Sequence, residues 1–191
     1  MVVRSKLVLI LATACCLIPT FAASANVKMA PKAAVTPAAP IVRMQTVKGL
    51  ILIKLFPKEA PISSANFEKL VRKGFYNGLT FWRIADIDPA TPSRIVQGGD
   101  PAGDGSGGPG YTIKGEFPSN GVNNPLKHNR GAVAMARAQG NDTAGSQFYI
   151  CAGAPHYLDG NYAVFGQVIK GMSIVDKLAI GDKMTKVTME K

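Results

Sequence analysis

The sequence predicts a mainly β domain, folded as a closed antiparallel barrel with a helix at either end. Three observations indicate this fold: short apolar runs outnumber helical segments, turns rich in Gly, Pro and Asn separate them, and strands and helices do not alternate as they do in parallel sheets. Hydrophobic residues make up 47% of the 191 positions and charged residues 18%, which is enough apolar surface for a packed core and excludes a disordered chain.

Residues 1–25 have the three parts of a secretory signal peptide. Arg4 and Lys6 form a positive start, the run Leu7–Ile18 is apolar, and Ala23-Ser24-Ala25 provides the small residues that a signal peptidase recognises. We expect cleavage after residue 25 and a periplasmic or secreted protein that does not span a membrane.

Two alternatives for this segment stay open. The first is an uncleaved anchor, although the helix-favouring part is shorter than the roughly 20 residues that a bilayer needs. The second is a lipoprotein signal at Cys15 or Cys16, although neither has Leu three positions earlier. Cleavage would lower the net charge from +10 to +8 and leave Cys151 as the single cysteine, so no internal disulfide is expected.

Residues 26–40 are an Ala/Pro-rich stretch that we interpret as a flexible spacer, and residues 41–191 form the globular domain. Ile41–Thr46 and Gly49–Leu55 are predicted strands joined by a tight turn. Apolar residues at helical spacing predict a helix that begins at Pro61 and ends at Gly74.

The rest of the domain continues this pattern of short elements. The apolar runs predict five further strands, a second helix and a closing strand, in chain order at Leu79–Ile84, Ile95–Gln97, Ala132–Ala136, Gln147–Cys151, Ala163–Val168, Met172–Ala179 (the helix) and Lys186–Glu190.

Several motifs fail their structural requirements. The glycines of residues 103–108 match G-x-G-x-x-G, but Pro109 and the residues after it start no helix, so we predict a surface loop instead of a dinucleotide site. His128 and His156 lack the paired spacing of a zinc site and are predicted to be loop or surface residues. Ser146 is not in a nucleophile elbow. We expect no cofactor and no metal, and the scattered basic residues do not indicate nucleic-acid binding.

A set of seven short motifs, in a fixed order from about Val42 to Lys191, resembles the cyclophilins, a family of peptidyl-prolyl cis–trans isomerases. The motifs are Phe81-Trp82-Arg83-Ile84, Ile95-Val96-Gln97-Gly98-Gly99-Asp100-Pro101, Gly107-Gly108-Pro109-Gly110-Tyr111 with Glu116-Phe117, Ala134-Met135-Ala136-Arg137, Gly145-Ser146-Gln147-Phe148-Tyr149-Ile150, Tyr157-Leu158-Asp159-Gly160 and Val164-Phe165-Gly166. The resemblance implies an eight-stranded antiparallel barrel capped by two helices, and the strand count above agrees with it.

The resemblance also implies a catalytic residue. Arg83 matches the catalytic arginine of the family. This role is consistent with the chemistry of the reaction. Rotation about an X–Pro bond has a barrier of roughly 18–20 kcal/mol, and a fixed cationic donor near the prolyl nitrogen favours the twisted amide. The alternative is a strand arginine with a purely structural ion pair.

By the same resemblance, other residues bind the substrate. An apolar slot for the proline ring is lined by Ile95, Tyr149, Leu158 and Tyr162; the substrate backbone is held by Gln97, Gln147 and the main chain of Ala136 and Arg137. Phe148 is expected to turn into the core. Tyr157 stands where the family has a tryptophan that donates an indole N–H to cyclosporin, so we expect weak inhibition by that drug.

The chain departs from the family in the segment Ala85–Arg94, which is longer than usual. Arg94 stands where the family has a pocket phenylalanine, and Ile95 replaces the usual methionine. Either Arg94 turns outward while Ile87 fills the gap, or the pocket is altered.

The sequence therefore predicts an exported peptidyl-prolyl isomerase that acts on proline-containing polypeptides as a monomer. The main alternative is a cyclophilin-like module that binds proline-containing segments with little or no turnover. A third possibility, a secreted factor acting on host proteins, is neither supported nor excluded by the positive charge.

Overall fold

The structure of the domain, a computed structural model, describes residues 39–86 and 93–190. The predicted signal peptide, residues 26–38 of the spacer and Ile87 lie outside the described residues. The helices are α1 (Pro61–Arg72) and α2 (Met172–Val175), with two short 3-10 turns at Pro118–Asn120 and His156–Leu158. The strands are β1 (Ile41–Thr46), β2 (Gly49–Leu55), β3 (Phe81–Asp86), β4 (Arg94–Gly98), β5 (Ala132–Met135), β6 (Phe148–Cys151), β7 (Val164–Lys170) and β8 (Met184–Met189).

All eight strands pair antiparallel in one sheet of order β3-β4-β6-β5-β7-β2-β1-β8, so the predicted mainly β, cyclophilin-like fold is confirmed. The sheet is curled but does not close completely, so the predicted closed barrel is overstated. Its edge strands β3 and β8 meet only near their first residues, where Thr80 bridges Lys183 and the Phe81 N–H donates to the Asp182 carbonyl at 2.9 Å. Irregular register beside this contact, between Phe81 and Arg83, bends β3, and the barrel stays partly open.

Residues alternate between the core and the solvent along β1, and this produces the first hairpin. Val42, Met44 and Thr46 are buried while the residues between them are exposed. The Thr46 hydroxyl accepts hydrogen bonds from the N–H groups of residues 48 and 49 at 3.1 Å each. Gly49 has φ +138°, and a Cβ there would lie 2.9 Å from Cδ1 of Ile174, so the turn requires glycine.

The core is built around Phe67 of α1. Its ring centroid lies 4.9 Å from that of Tyr76, 5.2 Å from that of Phe148 and 5.1 Å from that of Phe165. These rings come from one helix, a loop and two strands, so α1 is fixed on the sheet by aromatic contacts. Phe148 is fully buried among them, as the sequence predicts.

The start of α1 has no capping side chain of its own, because the residue before it is Ala60. The buried carboxylate of Glu116, which is distant in sequence, accepts hydrogen bonds from the N–H groups of Ile62 at 2.8 Å and Ser63 at 2.7 Å. A carboxylate at this position satisfies two free donors and lies at the positive end of the helix dipole. Glu116 therefore anchors α1 to the loop that precedes β5.

The second helix is shorter than predicted, four residues (Met172–Val175) instead of eight (Met172–Ala179). The N–H groups of Val175 and Asp176 reach back four residues, but those of Lys177 and Leu178 reach back only three. The chain thus tightens into a turn of 3-10 type. Ala179 N–H then donates to the Asp182 carboxylate at 2.8 Å instead of to the helix.

Within residues 39–86 and 93–190, no helix combines the length and the apolar character needed to cross a membrane.

We expect Glu116→Gln to lower the free energy of unfolding by about 1.5–3 kcal/mol, the range for hydrogen bonds to a charged group. Each carboxylate oxygen accepts one N–H, whereas only the oxygen of an amide can accept. Urea denaturation at pH 7 measures this change. Glu68→Gln is the matched control: Glu68 lies on α1 and pairs with Arg72, an exposed pair whose loss is expected to cost about 0.5 kcal/mol or less. Equal losses for the two variants would contradict the anchoring role.

Candidate active site

The candidate site lies on the face of β4 and β6 that is turned away from the main core. In an antiparallel sheet, successive side chains point to opposite faces. Val96 and Ile150 belong to the main core, whereas Ile95 and Tyr149 belong to a second apolar cluster. Gln97 is paired with Tyr149 across the two strands, so a polar and an aromatic side chain stand side by side on this face.

The second cluster lies on this face of the sheet and is covered by residues from neighbouring segments. Its buried members come from four adjacent strands and are Ile95, Ala132, Ala134, Tyr149, Cys151 and Val164. Its partly buried members come from β3 and from the irregular segments beside the strands, and are Ala85, Leu126, Ala136, Leu158 and Tyr162. Burial raises the pKa of the Cys151 thiol to about 12, so this cysteine is an apolar filler at neutral pH and not a nucleophile.

A cavity of about 160 Å³ opens in this cluster. Its walls bring together eight of the ten predicted site residues, namely Arg83, Ile95, Gln97, Ala136, Arg137, Tyr149, Leu158 and Tyr162. The rings of Tyr149 and Tyr162 meet edge to face, with centroids 6.0 Å apart and planes at 81°. This cavity, called the slot below, has an apolar floor and polar groups along one side.

Arg83 stands at the edge of the slot on β3, directly opposite Gln97 of β4. Its Nη1 donates to Oε1 of Gln97 at 3.1 Å, and Nε2 of Gln97 donates to Oε1 of Gln147 at 3.0 Å. Gln97 is only 7% exposed, so its amide is held in place by the protein. This chain of hydrogen bonds orients the guanidinium group before any ligand arrives.

Gln147 lies outside the slot and lines an adjoining groove of about 650 Å³. Its Nε2 donates to the carbonyls of Gly105 and Gly107 at 2.9 Å each. The glycine motif is a loop, as predicted, and the buried carboxylate of Asp100 holds it by accepting from the N–H groups of Ala102 and Asp104 at 2.9 and 3.0 Å. The loop thus forms one wall of the groove.

Arg137 lines both the slot and the groove. Its guanidinium carbon lies 4.7 Å from the ring centroid of Tyr162 and 5.3 Å from that of Phe117. Its Nη1 also donates to the Ala138 carbonyl at 3.0 Å. The sequence assigned only the main chain of Arg137 to the site, whereas in the structure its side chain also packs on Tyr162, a residue of the slot.

Two further predicted residues lie outside the slot. Arg94 turns away from it, and its Nη2 donates to the Leu178 carbonyl at 2.9 Å, in agreement with the outward alternative. Tyr157 lies on the 3-10 turn beside Leu158 but lines neither cavity and is 48% exposed.

His128 lies in a loop, as predicted, and it is completely buried. Its Nδ1 is 2.8 Å from Oδ1 of Asp159, and its Nε2 is 2.9 Å from the hydroxyl of Tyr149. Burial lowers the pKa of His128 from 6.5, although the Asp159 carboxylate opposes this shift. The sequence signal for this contact was the Tyr149 hydroxyl, because a buried phenol usually has a hydrogen-bond partner.

The class of protein follows from the fold and from one feature of the slot. A curled eight-stranded antiparallel sheet with a fixed cation beside an apolar cavity is the arrangement of a cyclophilin. The model of the family "Cyclophilin type peptidyl-prolyl cis-trans isomerase/CLD" matches residues 41–191. The chain belongs to this family.

Relatives agree with this assignment. The chain is 45% identical over 140 residues to the peptidyl-prolyl cis-trans isomerase B of Bacillus subtilis, covering 73% of this chain and 90% of the relative. It is 43% identical over 146 residues to a peptidyl-prolyl cis-trans isomerase of Helicobacter pylori, covering 75% and 83%. Relatives of this identity confirm the prediction of an isomerase over that of a binding module without turnover.

Solved structures agree as well. A cyclophilin-type peptidyl-prolyl cis-trans isomerase of Cryptosporidium parvum, crystallised in the presence of the dipeptide Ala-Pro, superposes with a TM-score of 0.67 at 28% identity, covering 79% of this chain and 99% of that one. Cyclophilin AquaCyp293 of Hirschia baltica has the same fold, with a TM-score of 0.65 at 22% identity, covering 78% of this chain and 73% of that one.

Proposed function

We propose that the protein accelerates rotation about X–Pro bonds in folding or exported proteins, with the proline ring in the slot and Arg83 stabilising the twisted amide. The observation that carries this proposal is the position of Arg83. Its guanidinium stands at the edge of the slot and is held there by Gln97.

The reaction needs no covalent step. The planar amide loses its resonance as the C–N bond twists, and a lone pair becomes localised on the prolyl nitrogen. A hydrogen-bond donor aimed at that nitrogen stabilises the twisted state more than either planar state, so it lowers the barrier. The Arg83 guanidinium, which stays charged at any physiological pH, supplies this donor.

The slot and its polar side hold the substrate in the orientation that this step requires. Burial of the proline ring against Tyr149, Leu158 and Tyr162 supplies affinity through apolar contact. The Ala136 N–H already donates to the Gln147 carbonyl at 3.0 Å, so we assign the Ala136 carbonyl to the substrate backbone. Gln97 and the main chain of Arg137 complete this polar side.

We expect Arg83→Ala to lower kcat by about two orders of magnitude, a loss of roughly 3 kcal/mol, because the donor acts only in the twisted state. Arg83→Lys is expected to rescue poorly, since an ammonium lacks the planar guanidinium geometry. A protease-coupled assay on a short X–Pro peptide measures kcat, and a binding titration with the same peptide is expected to show little change.

Leu158→Ala is the matched control for this experiment, since it is expected to weaken peptide binding with a smaller effect on kcat. Denaturation midpoints of all variants are compared first, so that lost activity is not mistaken for lost fold. Full activity in a folded Arg83→Ala variant would assign the charge to another residue.

The proposed site of action is the periplasm or the exterior of the cell, supported by the signal-peptide composition of residues 1–25. We expect protein recovered from the cell envelope to have the intact mass of a chain that begins at Asn26. Recovery of the full-length chain from the cytoplasm alone would contradict export.

We also propose weak binding of cyclosporin, because Tyr157 has a hydroxyl where the resemblance implies an indole N–H donor. The loss of one hydrogen bond in a desolvated site costs about 0.5–1.5 kcal/mol. We therefore expect Tyr157→Trp to lower the inhibition constant about two- to tenfold. An unchanged constant in the substituted protein would show that this position does not limit the affinity.

A further inference from the structure

Three polar side chains form a continuous line behind the slot. Oδ1 of Asp159 is 2.8 Å from Nδ1 of His128, and Nε2 of the same ring is 2.9 Å from the Tyr149 hydroxyl. Oδ1 of Asp159 also accepts the backbone N–H of His128 at 2.8 Å, which fixes the carboxylate relative to the ring. His128 is 0% exposed and Tyr149 is 3% exposed, so the contact between these two side chains is shielded from solvent.

The rings of this line also form the back of the slot. The His128 ring lies nearly parallel to that of Tyr149, at 12° with centroids 5.9 Å apart. It meets the ring of Tyr162 edge on, at 88° and 6.5 Å. Both tyrosines line the slot and His128 does not, so the histidine supports them from behind.

The hydrogen bonds determine which nitrogen of His128 carries the proton. A carboxylate can only accept, so Nδ1 is the protonated nitrogen beside Asp159. In the neutral ring Nε2 is then an acceptor, and the Tyr149 hydroxyl donates to it. This bond fixes the position of the far end of the Tyr149 ring, because the hydroxyl oxygen moves with the ring whenever the side chain turns about its first bond.

We propose that His128 and Asp159 are positioning residues for the isomerase: they hold the Tyr149 ring in the wall of the slot through its hydroxyl, and affinity for the proline peptide falls when His128 takes up a proton. The expected effect on KM rests on the proposed function, because it requires isomerase activity, whereas the expected effect on peptide binding does not.

The effect has a defined direction with pH. Burial, the largest cause, lowers the pKa of His128 below 6.5, so the ring is neutral at pH 7 and takes up a proton only in acid. Protonated Nε2 becomes a donor, and the Tyr149 O–H then loses its acceptor in a buried place. The slot is therefore intact above pH 6.5 and is perturbed as the pH falls.

Asp159 also faces other charged and titratable groups. On its second oxygen Asp159 faces His156 Nδ1 at 3.2 Å and Lys127 Nζ at 3.7 Å. Burial raises the Asp159 pKa, but the backbone and ring hydrogen bonds of His128 bring it below its ordinary value, so Asp159 stays charged. A proton on His156 would further disfavour one on His128.

Tyr149 and Cys151, the buried titratable groups of this wall, stay neutral in acid. Burial raises the pKa values of both groups. Tyr157 and Tyr162 also interact with Tyr149, as does Arg137, which opposes the rise in its pKa. His156 is an exposed histidine that faces the same carboxylate, so it needs its own control.

The test measures kcat and KM for a short X–Pro peptide, and Kd for the dipeptide Ala-Pro, between pH 7.5 and 5. For the unsubstituted protein we expect KM and Kd to rise about fivefold over this range while kcat changes less than about twofold. Tyr149→Phe keeps the ring but lacks the hydroxyl, so its KM is expected to be about fivefold higher at pH 7.5 and nearly independent of pH.

His128→Gln supplies the conservative rescue, because its amide oxygen can accept from Tyr149 and does not titrate. Its KM is expected to lie within about twofold of that of the unsubstituted protein at pH 7.5 and to stay there at pH 5. His156→Gln is the control for the exposed histidine and is expected to keep the original pH profile.

A flat KM profile in the unsubstituted protein, or an unaltered profile in Tyr149→Phe, would overturn the inference. So would losses of kcat that follow the denaturation midpoints, since a merely structural role predicts those. If His128→Gln does not fold, the comparison with Tyr149→Phe decides by itself. Absence of isomerase activity together with the expected pH profile of Kd would refute the proposed function and support the positioning role.

Discussion

The antiparallel register between β4 and β6 determines where both the core and the site lie. Gln97 is paired with Tyr149, and Val96 with Ile150, so the polar and aromatic site residues share one face and the core residues share the other. A slip of one residue would exchange the two faces and bury Gln97 in the main core. Burial of Val96 and Ile150 therefore stabilises this register, and the register places the slot.

The same alternation explains how one short strand serves two purposes. Phe148 packs with Phe67 of α1 in the core, while the next residue, Tyr149, forms a wall of the slot. The close packing of the core gives the slot wall a rigid support, since protein interiors adjust little to small displacements. A rigid wall favours a reaction that depends on the orientation of a substrate instead of on covalent chemistry.

Polar groups in the site are joined in two hydrogen-bonded chains. One runs from Arg83 through Gln97 and Gln147 to the glycine loop, and the other from Tyr149 through His128 to Asp159. The first holds the cation at the edge of the slot, and the second supports its apolar wall. Donors that are already oriented need no reorganisation when the amide twists, and this is the main source of electrostatic catalysis.

The strands and most of the candidate site were predictable from the sequence, because they depend on local pattern and on ordered motifs. The predicted strand Ile41–Thr46 matches β1 to the residue, and the position of Arg83 among its motifs placed it beside the slot. The early end of α2 has a local cause that apolar spacing does not show, because the Asp182 carboxylate accepts the N–H of Ala179. The partial opening of the barrel, the outward turn of Arg94 and the burial of His128 emerge only in the folded chain, because each depends on contacts between residues distant in the sequence.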